Sequence, residues 1–291
     1  MEAEQGTVAA VSCNDTYAFT KPVRDEIVLI AGVGVKGDVH AGVHVKHRGR
    51  VRADPTQPNF RQVHLIQQEL FAEVGAKGYA VAAGNLGENV TTSGIDLLGL
   101  PVGTILRFGR PTAGDTPGAA AKGDGEPLGG SNGGWLAERD GPHKQGGSGP
   151  LGEGDGGSLA QGAGGSLAQG GGGLLAQGGG GSLKAVLEVA ARAELDRETA
   201  ASAVAIAAAA AGDRGDDRRP AVVLAGLRNP CVQINGFREG LLKEVLGRDA
   251  DGNLVRKAGV MAVVLRGGPI RPGDMVTAEL PPLPHAPLER V

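Results

Sequence analysis

Eight short stretches of the chain are apolar or alternate apolar with polar residues, and each is bounded by glycine, proline, asparagine or aspartate. They read "GTVAAVSC", "EIVLIAG", "QVHLI", "GENVTT", "TILRFG", "AVVLAGL", "MAVVLRGG" and "MVTAEL". Runs of this length, rich in β-branched residues and punctuated this way, predict strands. "RPGD" places Pro272 and Gly273 at the two central positions of a type II turn. Helical spacing appears in "QQELFAEVGAKG" and "GLLKEVLG", each closing near a glycine. The expected fold is mainly β (α+β), a small barrel or a strongly coiled sheet with a few peripheral helices.

One region breaks the pattern. From Pro111 to Ser182 the chain is Gly-rich, with a period of eight that sets leucines at 159, 167, 175 and 183. The chain holds 52 glycines in 291 residues, far above the roughly 7% of an ordinary globular protein, and the excess is concentrated here. Such a stretch cannot bury enough apolar surface to offset its ordering entropy, so a disordered loop or linker is expected. Residues 183–212 follow, Ala-rich with Glu and Arg, closing on Gly212; these are helix formers, although the first few residues are also compatible with a strand. Residues 213–218 then read as a charged loop. The whole of 111–218 is thus expected to be an insert in one discontinuous domain, 1–110 with 219–291.

Composition removes several function classes. A net charge of −3 advertises neither nucleic acid nor membrane as partner, and an aromatic content of 3% argues against base stacking. The most apolar run, 203–211, is about half the ~20 residues of a membrane span. The N-terminus opens with glutamates and has no cationic stretch leading into an apolar run, so no secretory signal is expected. Two cysteines cannot build a disulfide framework or a four-thiolate metal site. A cytoplasmic protein is the expectation.

Charge is nevertheless uneven. Between Lys36 and Arg61 six Lys/Arg stand against Asp38 and Asp54, beside His40, His44 and His47. Arginine forks match phosphate geometry, so this loop suits a phosphate-bearing ligand. A zinc site is disfavoured, because glycines and β-branched residues imply an extended segment in which His47 points away from His40 and His44. "DADGN" at 249–253 has its glycine at the wrong position for a calcium loop.

Five segments, "GVKGDVHAG", "RQVHLIQQELF", "GNLGENVTTSGIDLLGLPVGTILRFG", "LRNPCVQI" and "RKAGVMAVVLRGGPIRPGD", stand in an order and spacing that resembles the molybdenum cofactor sulfurase C-terminal (MOSC) domain, of the stand-alone kind. The resemblance covers nearly all of 6–110 and 219–281 and none of the insert. It implies a β-barrel-like domain that binds the pterin-based molybdenum cofactor (molybdopterin), with Cys231 as metal ligand or sulfur carrier. Carried onto this sequence it also implies cofactor contacts from Gly37, Asp38 and His40, from Glu88, Asn89 and Thr91, and from Arg61 and Arg228. Lys46 and Arg48 of the basic loop and Lys257 of "RKAGVMA" complete the candidate set.

The residues around the cysteine support this independently. Pro230 biases Asn229 away from helix, so Cys231 should emerge on a turn where a buried strand meets a loop. Arg228 favours a thiolate if the two converge, and thiolate is a suitable soft ligand for a redox metal. Cys13 has no cation nearer in sequence than Lys21 and reads as a small buried hydrophobe. Two functions remain. One is an oxidoreductase that reduces an N-hydroxylated small-molecule substrate with electrons from an external donor protein. The other is a module that carries sulfur or cofactor on Cys231.

Overall fold

A computed structural model describes residues 4–110, 180–249 and 251–291, so the expectations for the Gly-rich repeats at 111–179 lie outside the described residues. In chain order the elements are β1 (Gln5–Ser12), β2 (Val23–Arg24), β3 (Ile27–Ile30), β4 (Gly34–Val35), α1 (Arg48–Ala53), β5 (Val63–Gln67), α2 (Glu69–Gly75), β6 (Val90–Ser93), β7 (Ile105–Phe108), α3 (Gly180–Arg192), α4 (Arg197–Gly212), β8 (Ala221–Leu227), α5 (Gln233–Phe237), α6 (Leu241–Val245), β9 (Leu246–Arg248), β10 (Leu254–Arg256), β11 (Val260–Arg266), β12 (Gly268–Ile270) and β13 (Met275–Glu279). Each of the eight expected strands is present.

Seven strands close a ring in the order β13–β7–β8–β11–β5–β6–β1 and back to β13. Every pairing in the ring is antiparallel except β5 with β6. Closure removes the exposed edges that an open sheet would leave. Gly273, at φ 88°, accommodates the turn before β13, and Asp274 N–H donates to Arg271 O, as the "RPGD" turn requires.

Strands β8 and β11 read as unbroken apolar runs because both their faces are buried. Val222, Leu224, Val260, Ala262 and Val264 point into the barrel. The alternate residues Ala221, Val223, Ala225, Met261, Val263 and Leu265 point outward into a second core with Leu183, Val186 and Ala190 of α3 and Ile206 of α4. The stretch 183–212 is therefore helical throughout its two elements, including its first residues, and it packs on the barrel rather than hanging from it. Asp196 caps α4 by accepting from Thr199 N–H at 2.8 Å. Burying Leu183, Val186 and Ile206 contributes about 1.5–3 kcal/mol each.

The charged segment after α4 is pinned as well. Arg107 of β7 bonds Glu279 at 2.6 Å and Asp213 at 3.1 Å, Arg219 holds Asp217 at 2.6 Å, and Arg266 holds Asp213 at 2.9 Å. This network ties residues 213–219 to three barrel strands. A third core joins Leu70 and Val74 of α2 to Ile234, Leu241 and Val245, and it anchors the helices that follow Cys231.

Candidate functional site

Strand register brings distant residues to one place. Leu227, Val260, Leu65, Val90 and Val11 form a continuous row across β8, β11, β5, β6 and β1. Arg228, His64 and Asn89 each adjoin that row, although 164 residues separate His64 from Arg228. Val63 and Leu65 point into the barrel, and His64 lies on the other face with its cross-strand partner Met261. Around this spot is a cavity of about 310 Å³ whose wall includes His64, Met261, Asn89, Arg228 and Cys231. The basic loop and the segment around Phe19 supply the rest of the wall: Lys21, His40, Lys46, His47, Arg50, Asn59 and Arg61.

Asp38 organises one side. Its Oδ2 accepts from Lys21 Nζ at 2.6 Å and from Asn89 Nδ2 at 2.8 Å, and its Oδ1 lies 2.9 Å from His40 N and 3.1 Å from His40 Nδ1. Burial would push this carboxyl up, but the hydrogen bonds from His40 and the charge of Lys21 override it and hold the carboxyl well below the usual carboxylate range. Burial pulls the Lys21 ammonium down, against the attraction of Asp38. Asn89 ties the network to the barrel, since its second amide hydrogen goes to Ser12 O and its oxygen accepts from His64 N–H. Both amide hydrogens are thereby used within the protein.

The opposite side is cationic. Lys46, Arg50, Arg61 and Arg228 line it, across from the Asp38-paired Lys21, and no carboxylate is among the described lining residues. Burial, followed by the charges of Arg50 and Arg228, brings the Arg61 guanidinium down to about 9, and the sulfur of Cys231 acts in the other direction. Arg61 Nη1 donates to Val291 O. Arg228 is 8% exposed, and its guanidinium lies 5.9 Å from the Phe19 ring centroid. Its buried Nη1 has no hydrogen-bond partner among the described residues. An anion entering the cavity could accept from this Nη1 hydrogen. His64 donates from Nε2 to Ala258 O at 2.7 Å, and burial together with Arg228 holds it well below its ordinary range, hence neutral. Burial, then Arg61, His40 and Arg50, also lower His47.

Cys231 sits where expected. Strand β8 ends at Leu227, Arg228 N–H still bonds Gly259 O, and the chain turns through Pro230 before Ile234 N–H returns to Cys231 O at 3.0 Å. The thiol is half-buried, with Sγ 3.5 Å from Gln233 Oε1. Cys13 packs at the margin of the barrel core, and burial raises its thiol.

Other candidates lie elsewhere. Gly37 is in an exposed turn at φ 78°. Glu88 is fully buried and accepts from Gly84 N–H at 2.6 Å, Leu86 N–H at 3.1 Å and Thr91 Oγ1 at 3.2 Å; burial raises its carboxyl. Glu88 and Thr91 thus stitch their own loop together behind the cavity. Gly87 lines the wall at φ 79°, where an added Cβ would stand 2.6 Å from Phe19 O, so only glycine allows this close backbone approach. Lys257 pairs with Glu73 at 2.6 Å, away from the cavity. Arg48 stacks 4.6 Å from the centroid of the exposed Tyr17 ring, and Arg50, two residues further along α1, reaches the cavity instead. The basic segment bends rather than extends, so His40 and His47 share the cavity while His44 pairs with Pro58 outside it. Sequence reasoning passed over Lys21, which carried no local signal beyond being a lysine, and Asn59, whose Nδ2 holds His40 O and Gly42 O.

No family model matches the chain, and no curated protein sequence matches it significantly. Among solved structures it is similar to the YuaD protein from Bacillus subtilis, at 15% identity over 95% of this chain and 97% of that one, with a TM-score of 0.50. The likeness is one of fold. YiiM from Geobacillus stearothermophilus matches at 10% identity over 94% of this chain and 75% of that one, with a TM-score of 0.40. YiiM from Escherichia coli matches at 11%, over 96% and 70%, with a TM-score of 0.37. Among the described residues no helix is long and apolar enough to cross a membrane, and no group of three or more His, Cys, Asp and Glu converges as a metal centre.

Proposed function

We propose that this protein is a MOSC-type binder of the molybdenum cofactor and that it reduces N-hydroxylated small molecules. The observation that carries the reading is the cavity itself, where five Lys/Arg, one of them paired with Asp38, and an Arg228 Nη1 without a hydrogen-bond partner among the described residues meet one half-buried cysteine. That donor set fits a ligand combining a phosphate with a thiophilic metal. Arg61, Arg228, Arg50 and Lys46 would hold the phosphate, Cys231 would contribute a thiolate ligand, and Phe19 offers an apolar wall to the heterocycle. When bound, the cofactor supplies a two-electron redox centre.

The protein's own residues bind and orient. The Asp38 network fixes the position of Lys21 and His40, and the closed barrel beneath leaves the cavity one rigid floor. The "GVGVKG" at 32–37 follows β3 but runs into β4 instead of opening a helix, as a nicotinamide-binding turn would, and two cysteines cannot ligate an ordinary iron–sulfur cluster, so electrons would come from an external donor protein. A second reading, a sulfur carrier with a persulfide on Cys231, is favoured by the rim: Val232 beside the cysteine is 78% exposed, leaving the sulfur within reach of another protein. Protein purified from a host that makes the cofactor should carry stoichiometric molybdenum and pterin. Metal-free protein that gathers labelled sulfur on Cys231 would move the assignment to the carrier.

A further inference from the structure

Of the three histidines lining the cavity, His64 spends its Nε2 hydrogen on a backbone carbonyl and His47 sits among arginines. His40 differs, because it has a carboxylate behind it. Asp38 Oδ1 lies 3.1 Å from His40 Nδ1, and Asp38 is held by Lys21 and Asn89 through Oδ2, with side-chain exposure of 1%. A carboxylate that accepts on every side can only receive from Nδ1, so Nδ1 carries the hydrogen and Nε2 is the free end. The ring is held further by the edge of Tyr17, 5.9 Å away at 84°, and by Asn59 on its backbone oxygen. Its side chain is 29% exposed and forms part of the cavity wall.

We infer that His40, oriented by Asp38, is the proton donor for the reaction in this cavity. The inference rests on the reductase reading above. For an N-hydroxylated substrate the balance is R–NHOH plus two electrons and two protons giving R–NH2 and water. The free Nε2 of His40 takes a proton from solvent and passes it to the departing hydroxyl oxygen as the N–O bond breaks, while the nitrogen takes the two electrons from the external donor and its own proton from solvent. Nε2 is then free again, with Nδ1–H still on Asp38. Asp38 stays ionised throughout and works as a positioning residue.

Two measurements test this, one independent of cofactor. In metal-free protein, nitrogen-15 shifts should show His40 as the Nδ1–H tautomer, and diethylpyrocarbonate should label His40 while sparing His64. Asp38→Asn should change the tautomer population and slow labelling several-fold. In cofactor-loaded protein with dithionite as reductant, His40→Ala should keep its molybdenum but lose at least tenfold in kcat on an amidoxime or N-hydroxylated purine, and added imidazole should restore part of it. An Nε2–H tautomer in the metal-free protein, or a loaded His40→Ala variant with undiminished kcat, overturns the inference. A wild-type protein that takes up no molybdenum overturns the reductase reading instead, and the tautomer and labelling still decide whether the His40–Asp38 pair is built as described.

Discussion

Replacing Lys21 with methionine removes one charge from the centre of the site while keeping most of its volume. Lys21 and Asp38 have side-chain exposures of 4% and 1% and are 2.6 Å apart, so solvent screens them little. At an effective dielectric of about 20 their attraction is about 6 kcal/mol, which offsets a desolvation cost of several kcal/mol per ion. Taking away one partner leaves Asp38 buried with its other donors but no countercharge. The expected loss at pH 7 is about 3–5 kcal/mol, or roughly 6–20 °C in Tm for a domain of this size. The pH dependence carries its own sign. Asp38 in the native protein lies well below its unfolded value of 3.8, so its stabilisation is complete above that value and is lost as the pH falls from there through the lower native value. The wild type should therefore lose stability in acid faster than Lys21→Met, and the gap between them should narrow between about pH 5 and pH 2. Urea denaturation of both proteins across that range is the assay. A deficit below about 1 kcal/mol at pH 7, or a gap constant with pH, would refute the account of a charge pair whose burial is compensated internally.

Cys231→Ser should lose molybdenum and activity with unchanged melting, whereas Cys13→Ser should keep both, as read by metal analysis and calorimetry. Arg228→Ala should lower cofactor occupancy at least tenfold, because its Nη1 awaits the anion, while Arg48→Ala, on Tyr17 outside the cavity, should change it less than twofold; equal effects would contradict the placement. Ile206→Ala should cost about 2–5 kcal/mol because that side chain is fully buried between α4 and the barrel, yet replacing 112–179 with a short Gly/Ser linker should leave Tm within a few degrees. Linker replacement that destabilises as much as Ile206→Ala would show that the Gly-rich stretch packs.

The strands were legible in the sequence because burial leaves a local signature. Alternation in β13 reports one buried face, and the unbroken Val/Leu/Ala runs of β8 and β11 report two. What covers the second face of β8 and β11 was not legible. Residues 183–212 have the composition of a helix, but nothing within them says that Ile206 belongs against Val223 rather than in water.

The site divides in the same way. Cys231 and Arg228 were readable because strand, proline and cysteine stand next to one another in the chain, and the basic loop announced itself by its charge. The pairing of Lys21 with Asp38 and the removal of Lys257 to Glu73 were decided only in three dimensions. Residue type and spacing determine which groups can be ionised, bent or buried. Which partner each charge meets depends on strand register and on helices packed from elsewhere in the chain, and a buried charge takes whichever neighbour those contacts bring within hydrogen-bonding distance.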